Sequence, residues 1–192
     1  MQGDARDVTR PNPAPTRARC RASGDRAAPV LVVGIGNPSR GDDALGPVLI
    51  SRLQQWQDAG RLEGVELLSD FQLQIEHVLD LVDRERVIIV DAAASLDAPY
   101  RLLPIKTETV DSGSAPAAVL GWSTHRLAPN ALLRLYRSLH GEPPPLDLLA
   151  IGGCSFELGA ALSAKAAANL EVATEWLLLE LQCLPTGTAH RP

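Results

Sequence analysis

The chain has 192 residues, 45% of them apolar, and a formal charge of −5, which suits one core of ordinary size and is too short for two domains to be expected. The acidic balance argues against a general nucleic-acid partner, because phosphate binding needs clustered positive charge. No apolar run approaches the roughly 18 residues of a membrane span, the start lacks the basic-then-apolar order of a secretory signal, and Cys20, Cys154 and Cys183 form neither a disulfide framework nor a zinc-type spacing. A soluble, monomeric, cytoplasmic protein with no membrane or nucleic-acid partner is therefore expected.

Residues 1–28 mix Arg, Asp, Pro, Gly and Ser with almost no large apolar side chain, so they bury too little surface to offset the entropy of ordering and read as a disordered tail. From residue 29 short apolar runs alternate with amphipathic stretches, the pattern of βαβ units. In chain order the sequence predicts a strand at 29–35, a helix at 43–56, a strand at 64–69, a helix at 74–82 and a strand at 86–92. A weaker strand at 101–106, a helix at 127–139, a strand at 146–152 and a helix at 164–181 follow. "VLVVGIG" and "RVIIVDA" are apolar at successive positions, so both faces of the sheet should be covered. Ser163 stands where it would cap the last helix, and Pro129 falls in the first turn of the third, where a missing N–H costs little. The expected fold is an α/β three-layer sandwich, a mostly parallel twisted central sheet flanked by helices. One domain spans 29–184, and 185–192 is read as a flexible C-terminus.

The stretch "VLVVGIGNPSRGDDALGPVLI" raises a question of charge. Glycines after a strand invite a dinucleotide reading, but the third glycine of that fingerprint is replaced by Ser39, and Asp42 and Asp43 stand where a helix dipole would otherwise attract a phosphate. Asp42 is expected to cap its helix and complement the dipole. A second carboxylate beside it needs another reason.

In an open parallel sheet, sites gather outside the carboxyl ends of the strands. Asp43, Asp91 at the end of "VIIVDA" and His125 in "WSTHRL" all fall there. Converging, they would form an oxygen- and nitrogen-rich site for a divalent ion such as zinc or nickel, and a cation would turn the repulsion of clustered carboxylates into coordination. Each has a plainer reading too: an aspartate ending a buried strand often anchors the next loop, and a lone loop histidine is usually just solvated. His77, His140 and His190 have no comparable claim. Cys154 lacks an evident histidine partner and is expected to be a small packed residue, which leaves no serine or cysteine nucleophile.

From about residue 30 to residue 181 the chain resembles the maturation endopeptidases of nickel-iron hydrogenases, on the motifs "GIGNPSRGDDALG", "VIIVDAA", "STHRLAPNALL" and "AIGGCSFELGAALSAKA". Gly36, Asn37, Asp42, Asp43 and Gly46 stand at that family's spacing. The resemblance implies that Asp43, Asp91 and His125 are both the ligands of a divalent ion and the catalytic groups. It also implies substrate contacts around Gly36, Asn37, Asp70 and Gln72, and removal of a C-terminal extension from a hydrogenase large-subunit precursor after nickel insertion. Such an enzyme is a metal-dependent, aspartic-type endopeptidase. Two departures stand out: many relatives carry Asp-Gly-Gly-Thr where this chain reads "SDFQLQIEHVLDL", and a proline where it reads "GGCSFELG".

Two chemical routes fit. A protease-bound ion activates water or polarises the carbonyl, or the three side chains recognise nickel already held by the substrate while a carboxylate serves as general base. The second is favoured, because the two-histidine helical motif of ordinary zinc peptidases is missing and ligands from separate loops make a readily exchanged site; zinc or another divalent ion is expected to substitute. Two rivals remain, a metal-dependent chaperone that holds the hydrogenase subunit without cutting it, and a peptidyl-tRNA hydrolase suggested by "VVGIGNP". The latter family continues with histidine and asparagine where this chain has "SRGDDALGPV".

Overall fold

A computed structural model describes residues 28–107 and 127–183. The segments expected as tails lie outside these residues, apart from Ala28, and so does the loop containing His125. The described strands are β1 (Val30–Ile35), β2 (Val65–Asp70), β3 (Arg86–Ala93), β4 (Tyr100–Ile105) and β5 (Leu146–Gly152), with helices α1 (Leu45–Asp58), α2 (Pro129–His140) and α3 (Ala164–Gln182). They form one sheet in the order β2-β1-β3-β5-β4. All neighbours are parallel except β4, which runs antiparallel to β5 at one edge. An edge strand tolerates Pro104, whose missing N–H would break a ladder in a central strand.

The continuous apolar character of β1 and β3 has the expected cause: each face is covered. Val30, Val32, Ile88 and Val90 pack with Leu45, Leu49 and Leu53 of α1 and with Leu170, Ala173 and Leu177 of α3. Leu31, Val33, Val87 and Ile89 pack on the other face with Leu132, Leu133 and Tyr136 of α2 and with Val78 and Leu81 of a short 3-10 helix, Ile75–Leu81. Burying each such leucine contributes about 2 kcal/mol. Ser163 Oγ accepts the Ala166 N–H and caps α3, and Pro129 sits in the first turn of α2, both as the sequence predicts.

The predicted helix at 43–56 is two elements: a 3-10 helix, Gly41–Ala44, followed by α1. The element at 74–82 is 3-10 rather than α. Helix α1 lies unusually close to the sheet, because a Cβ on Gly34 would stand 2.5 Å from Gly46 O, and one on Gly46 would stand 2.4 Å from Ile35 O. Backbone meets backbone there, and the start of α1 is fixed against the ends of β1 and β3. Among the described residues no helix is long and apolar enough to cross a membrane.

Candidate active site

Strand β1 connects in sequence to β2 on one side and neighbours β3 on the other, so the connections diverge between β1 and β3. In open α/β sheets that divergence leaves a crevice at the carboxyl edge, the usual place for a ligand. Both candidate carboxylates flank it. The last β1–β3 pair is Gly34 with Val90. Strand β3 runs on to Ala93 against β5 alone, with Asp91 opposite Ala150, so Asp91 is the first β3 residue beyond its pairing with β1. The 3-10 helix bearing Asp43 packs against β3. Asp43 and Asp91 are both buried, 6% and 3% exposed. Carboxylates kept that far from water require charge-stabilising partners.

The turn after β1 is shaped around Asp43. Gly36 has φ +142°, and a Cβ there would lie 1.9 Å from the Asp43 carbonyl oxygen; only glycine allows that approach. The Asn37 N–H then donates to Asp43 Oδ2 at 3.0 Å, while the Asn37 side chain accepts the Ser39 N–H at 2.9 Å. Asp91 Oδ1 accepts its neighbour's amide, Ala92 N–H, at 2.8 Å. Asp91 alternates with Val90 along β3 and so shares the face of Ile89, the face covered by α2.

His125 lies outside the described residues. The described residues begin again at Leu127, immediately before α2, whose carboxyl end lies near Leu146 at the start of β5. The opposite, amino end of α2 is therefore at the same edge of the sheet as the crevice. Among the described residues alone, no three His, Cys, Asp or Glu side chains cluster as a metal site. The two buried carboxylates are hard oxygen donors that suit a divalent ion, and one imidazole would complete a donor set fit for zinc or nickel.

Asp42 corrects the sequence expectation. Helix α1 has no side-chain cap, and the Asp42 carboxylate bonds instead to residues of a distant loop. Oδ2 accepts the N–H groups of Cys154 at 2.7 Å and Ser155 at 2.9 Å and the Ser163 hydroxyl at 2.8 Å, and Oδ1 accepts the Ser163 N–H at 2.7 Å. Burial alone would raise its pKa; the donations from Cys154, Ser163 and Ser155 outweigh burial and hold the carboxyl below its ordinary range. Like charges can stand side by side because they face different partners. Cys154, expected to be packed, is exposed, because residues 153–163 form an irregular surface loop after β5.

Sequence reasoning passed over His77. It is buried, its Nδ1 accepts the Gln74 N–H at 2.9 Å, and its Nε2 lies 3.6 Å from Asp70 Oδ2. With one nitrogen taken and the other turned to Asp70, the ring fastens the chain after β2. Asp70 also accepts the Phe71 N–H at 2.6 Å, and its backbone oxygen accepts the Gly36 N–H at 3.1 Å, so it borders the same turn. Gln72 is exposed. The spacing Gln74-x-x-His77, a polar residue with a second acceptor three positions on, was the available signal.

These features define the class: an open-sheet α/β protein with an acidic crevice at its switch point. Among solved structures the chain is similar to the hydrogenase maturating endopeptidase HybD from E. coli, at 25% identity over 80% of this chain and 91% of that one, with TM-score 0.59. It is also similar in fold to the NiFe hydrogenase maturation protease HycI from Thermococcus kodakarensis, at 21% identity, covering 83% and 95% of the two chains, TM-score 0.60. A hydrogenase 2 maturation peptidase from a Thaumarchaeota archaeon matches at 24% identity, 79% and 97%, TM-score 0.55. The fold of this chain is that of the hydrogenase maturation endopeptidases, the family its motifs resemble. No family model matches the sequence, and no curated protein matches it.

Proposed function

We propose that the chain is a cytoplasmic, monomeric endopeptidase that removes the C-terminal extension of a nickel-iron hydrogenase large-subunit precursor after nickel insertion. The observation that carries this reading is the pair of buried carboxylates, Asp43 and Asp91, at the β1/β3 switch point of a fold shared with HybD over 91% of that protein.

The reaction hydrolyses one peptide bond. In this reading Asp43, Asp91 and His125 recognise a divalent ion, with nickel already bound to the substrate as the natural case and zinc able to substitute. A carboxylate of the pair then takes a proton from the attacking water, as a general base must. That makes the enzyme metal-dependent and of aspartic type. Gly36 and Asn37 fix Asp43, and with Asp70 and Gln72 they border the path of the precursor. Lowered water access supports the chemistry, because a buried carboxylate binds a cation more strongly than an exposed one.

The test is to incubate the purified protein with nickel-loaded precursor and measure product mass. A precursor shortened at its C-terminus is the expected result. An intact precursor in a stable complex would make the protein a holding chaperone instead.

A further inference from the structure

The turn 37–43 and the loop 153–163 are joined from both sides. Besides the four bonds to the Asp42 carboxylate, Asp42 N–H donates to Ser155 O at 2.7 Å, Gly41 N–H to Ala160 O at 3.1 Å and Gly159 N–H to Ser39 O at 2.7 Å. Arg40 Nε donates to Phe156 O at 2.8 Å. The loop leaves β5 at the carboxyl edge of the sheet, and its first residue, Gly153, donates to Ala93 O at the end of β3 at 2.9 Å. It thus stands beside β3 and the turn that follows β1, the two sides of the crevice, although it contains neither helix nor strand to hold its shape. Its donors at Cys154, Ser155 and Ser163 have no ladder to join, and Asp42, with no exposed surface, satisfies all of them.

We propose that Asp42 is a positioning residue for the hydrolysis: by holding the loop 153–163 it builds the wall against which the precursor chain is held, and it acts on substrate capture rather than on bond cleavage. This rests on the endopeptidase reading above. Adjacent aspartates then divide the work, Asp43 turned to the reacting centre and Asp42 to the loop that frames it. Ser163 links the two ends of the device, donating its hydroxyl to Asp42 while accepting the Ala166 N–H at the start of α3. A loop pinned this way contributes binding common to ground and transition states, which appears in KM and not in kcat.

The experiment measures kcat and KM for cleavage of nickel-loaded precursor by the wild type, Asp42→Asn, Ser163→Ala and the double variant. An asparagine turns its amide toward at least one of the former donors, and Ser163→Ala removes the hydroxyl that donates to Asp42, together with the α3 cap, while leaving Asp43 and Asp91 in place. Each single variant should raise KM about tenfold with kcat within about twofold, and the double variant should be less than additive. Arg86→Met, a destabilising change to an ion pair with Asp147 and Glu180 far from the loop, should leave KM unchanged and so separates positioning from general loss of stability. If Asp42→Asn lowers kcat at unchanged KM, or if Ser163→Ala behaves as wild type, the inference is overturned while the protease reading stands. A wild type that leaves the precursor intact would overturn the protease reading itself.

Discussion

Gly36→Ala should slow cleavage about 100-fold, far out of proportion to its effect on stability. A Cβ at this position would fall 1.9 Å from the Asp43 carbonyl oxygen, whereas ordinary contacts begin near 3 Å, so one of the two backbones must move by about 1 Å. A displacement of that size at a catalytic group costs on the order of 100-fold in rate. The positive φ adds backbone strain of about 1–3 kcal/mol. Gly60→Ala is the matched control: its φ is +68°, but a Cβ there meets nothing within 4 Å, so it should cost about 1 kcal/mol and leave cleavage untouched. The assays are single-turnover cleavage of nickel-loaded precursor and urea unfolding on the same preparations. Cleavage by Gly36→Ala within about twofold of wild type would refute the idea that this turn sets the position of Asp43.

Asp43→Asn keeps the shape and removes the charge, so cleavage should collapse while the melting temperature holds; equal activity in this variant and wild type would remove Asp43 from the site. Asp42→Ala should lower stability at neutral pH by about 3 kcal/mol, because buried donors lose a charged acceptor. Since the folded Asp42 pKa lies below the ordinary 3.8, this contribution is fully present above that value and fades as pH falls through the lowered folded value. The gap between wild type and Asp42→Ala in denaturant midpoint should therefore be constant from pH 7 to about 5 and narrow below about 4; a gap that widens in acid would contradict the hydrogen-bond account. Arg86→Met leaves Asp147 and Glu180 without their shared partner and should destabilise by about 2 kcal/mol, or roughly 4–8 °C by calorimetry. A chain beginning at Ala27 should retain its melting temperature, whereas removing Pro29, whose oxygen accepts the Glu85 N–H at 2.8 Å, should lower it.

Most strands and helices were legible because their signal is local. The apolar runs of β1 and β3, the spacing of Leu170, Ala173 and Leu177, and the Ser163 cap each show within a few residues of sequence. The role of Asp42 was hidden because its partners lie 112 to 121 positions away; nothing near "GDDALG" announces a bond to a loop on the far side of the chain. The short 3-10 helix Gly41–Ala44 stands where the sequence predicts an α-helix to begin at residue 43, and its Asp42 N–H donates to Ser155 O, a distant contact that no local propensity shows. His77 lies in surroundings that suit an ordinary amphipathic helix, and its approach to Asp70 shows only once the chain after β2 has brought the two within 3.6 Å. Strand-end reasoning, which depends on topology more than on side-chain detail, puts Asp43 and Asp91 at the carboxyl edge of the sheet, and both are buried there. Exposure of Cys154 escaped prediction because a surface loop follows directly on a buried strand there.

The most direct measurement is a mass comparison of two precursors, one loaded with nickel and one free of it, each incubated with wild-type protein and with Asp91→Asn in buffer containing nickel. Substrate thiolates, softer than carboxylate and imidazole, should fix where the ion sits. The account predicts loss of the C-terminal peptide only from the loaded precursor and only with the wild type. Cleavage of the nickel-free precursor, or unimpaired cleavage by Asp91→Asn, would contradict it.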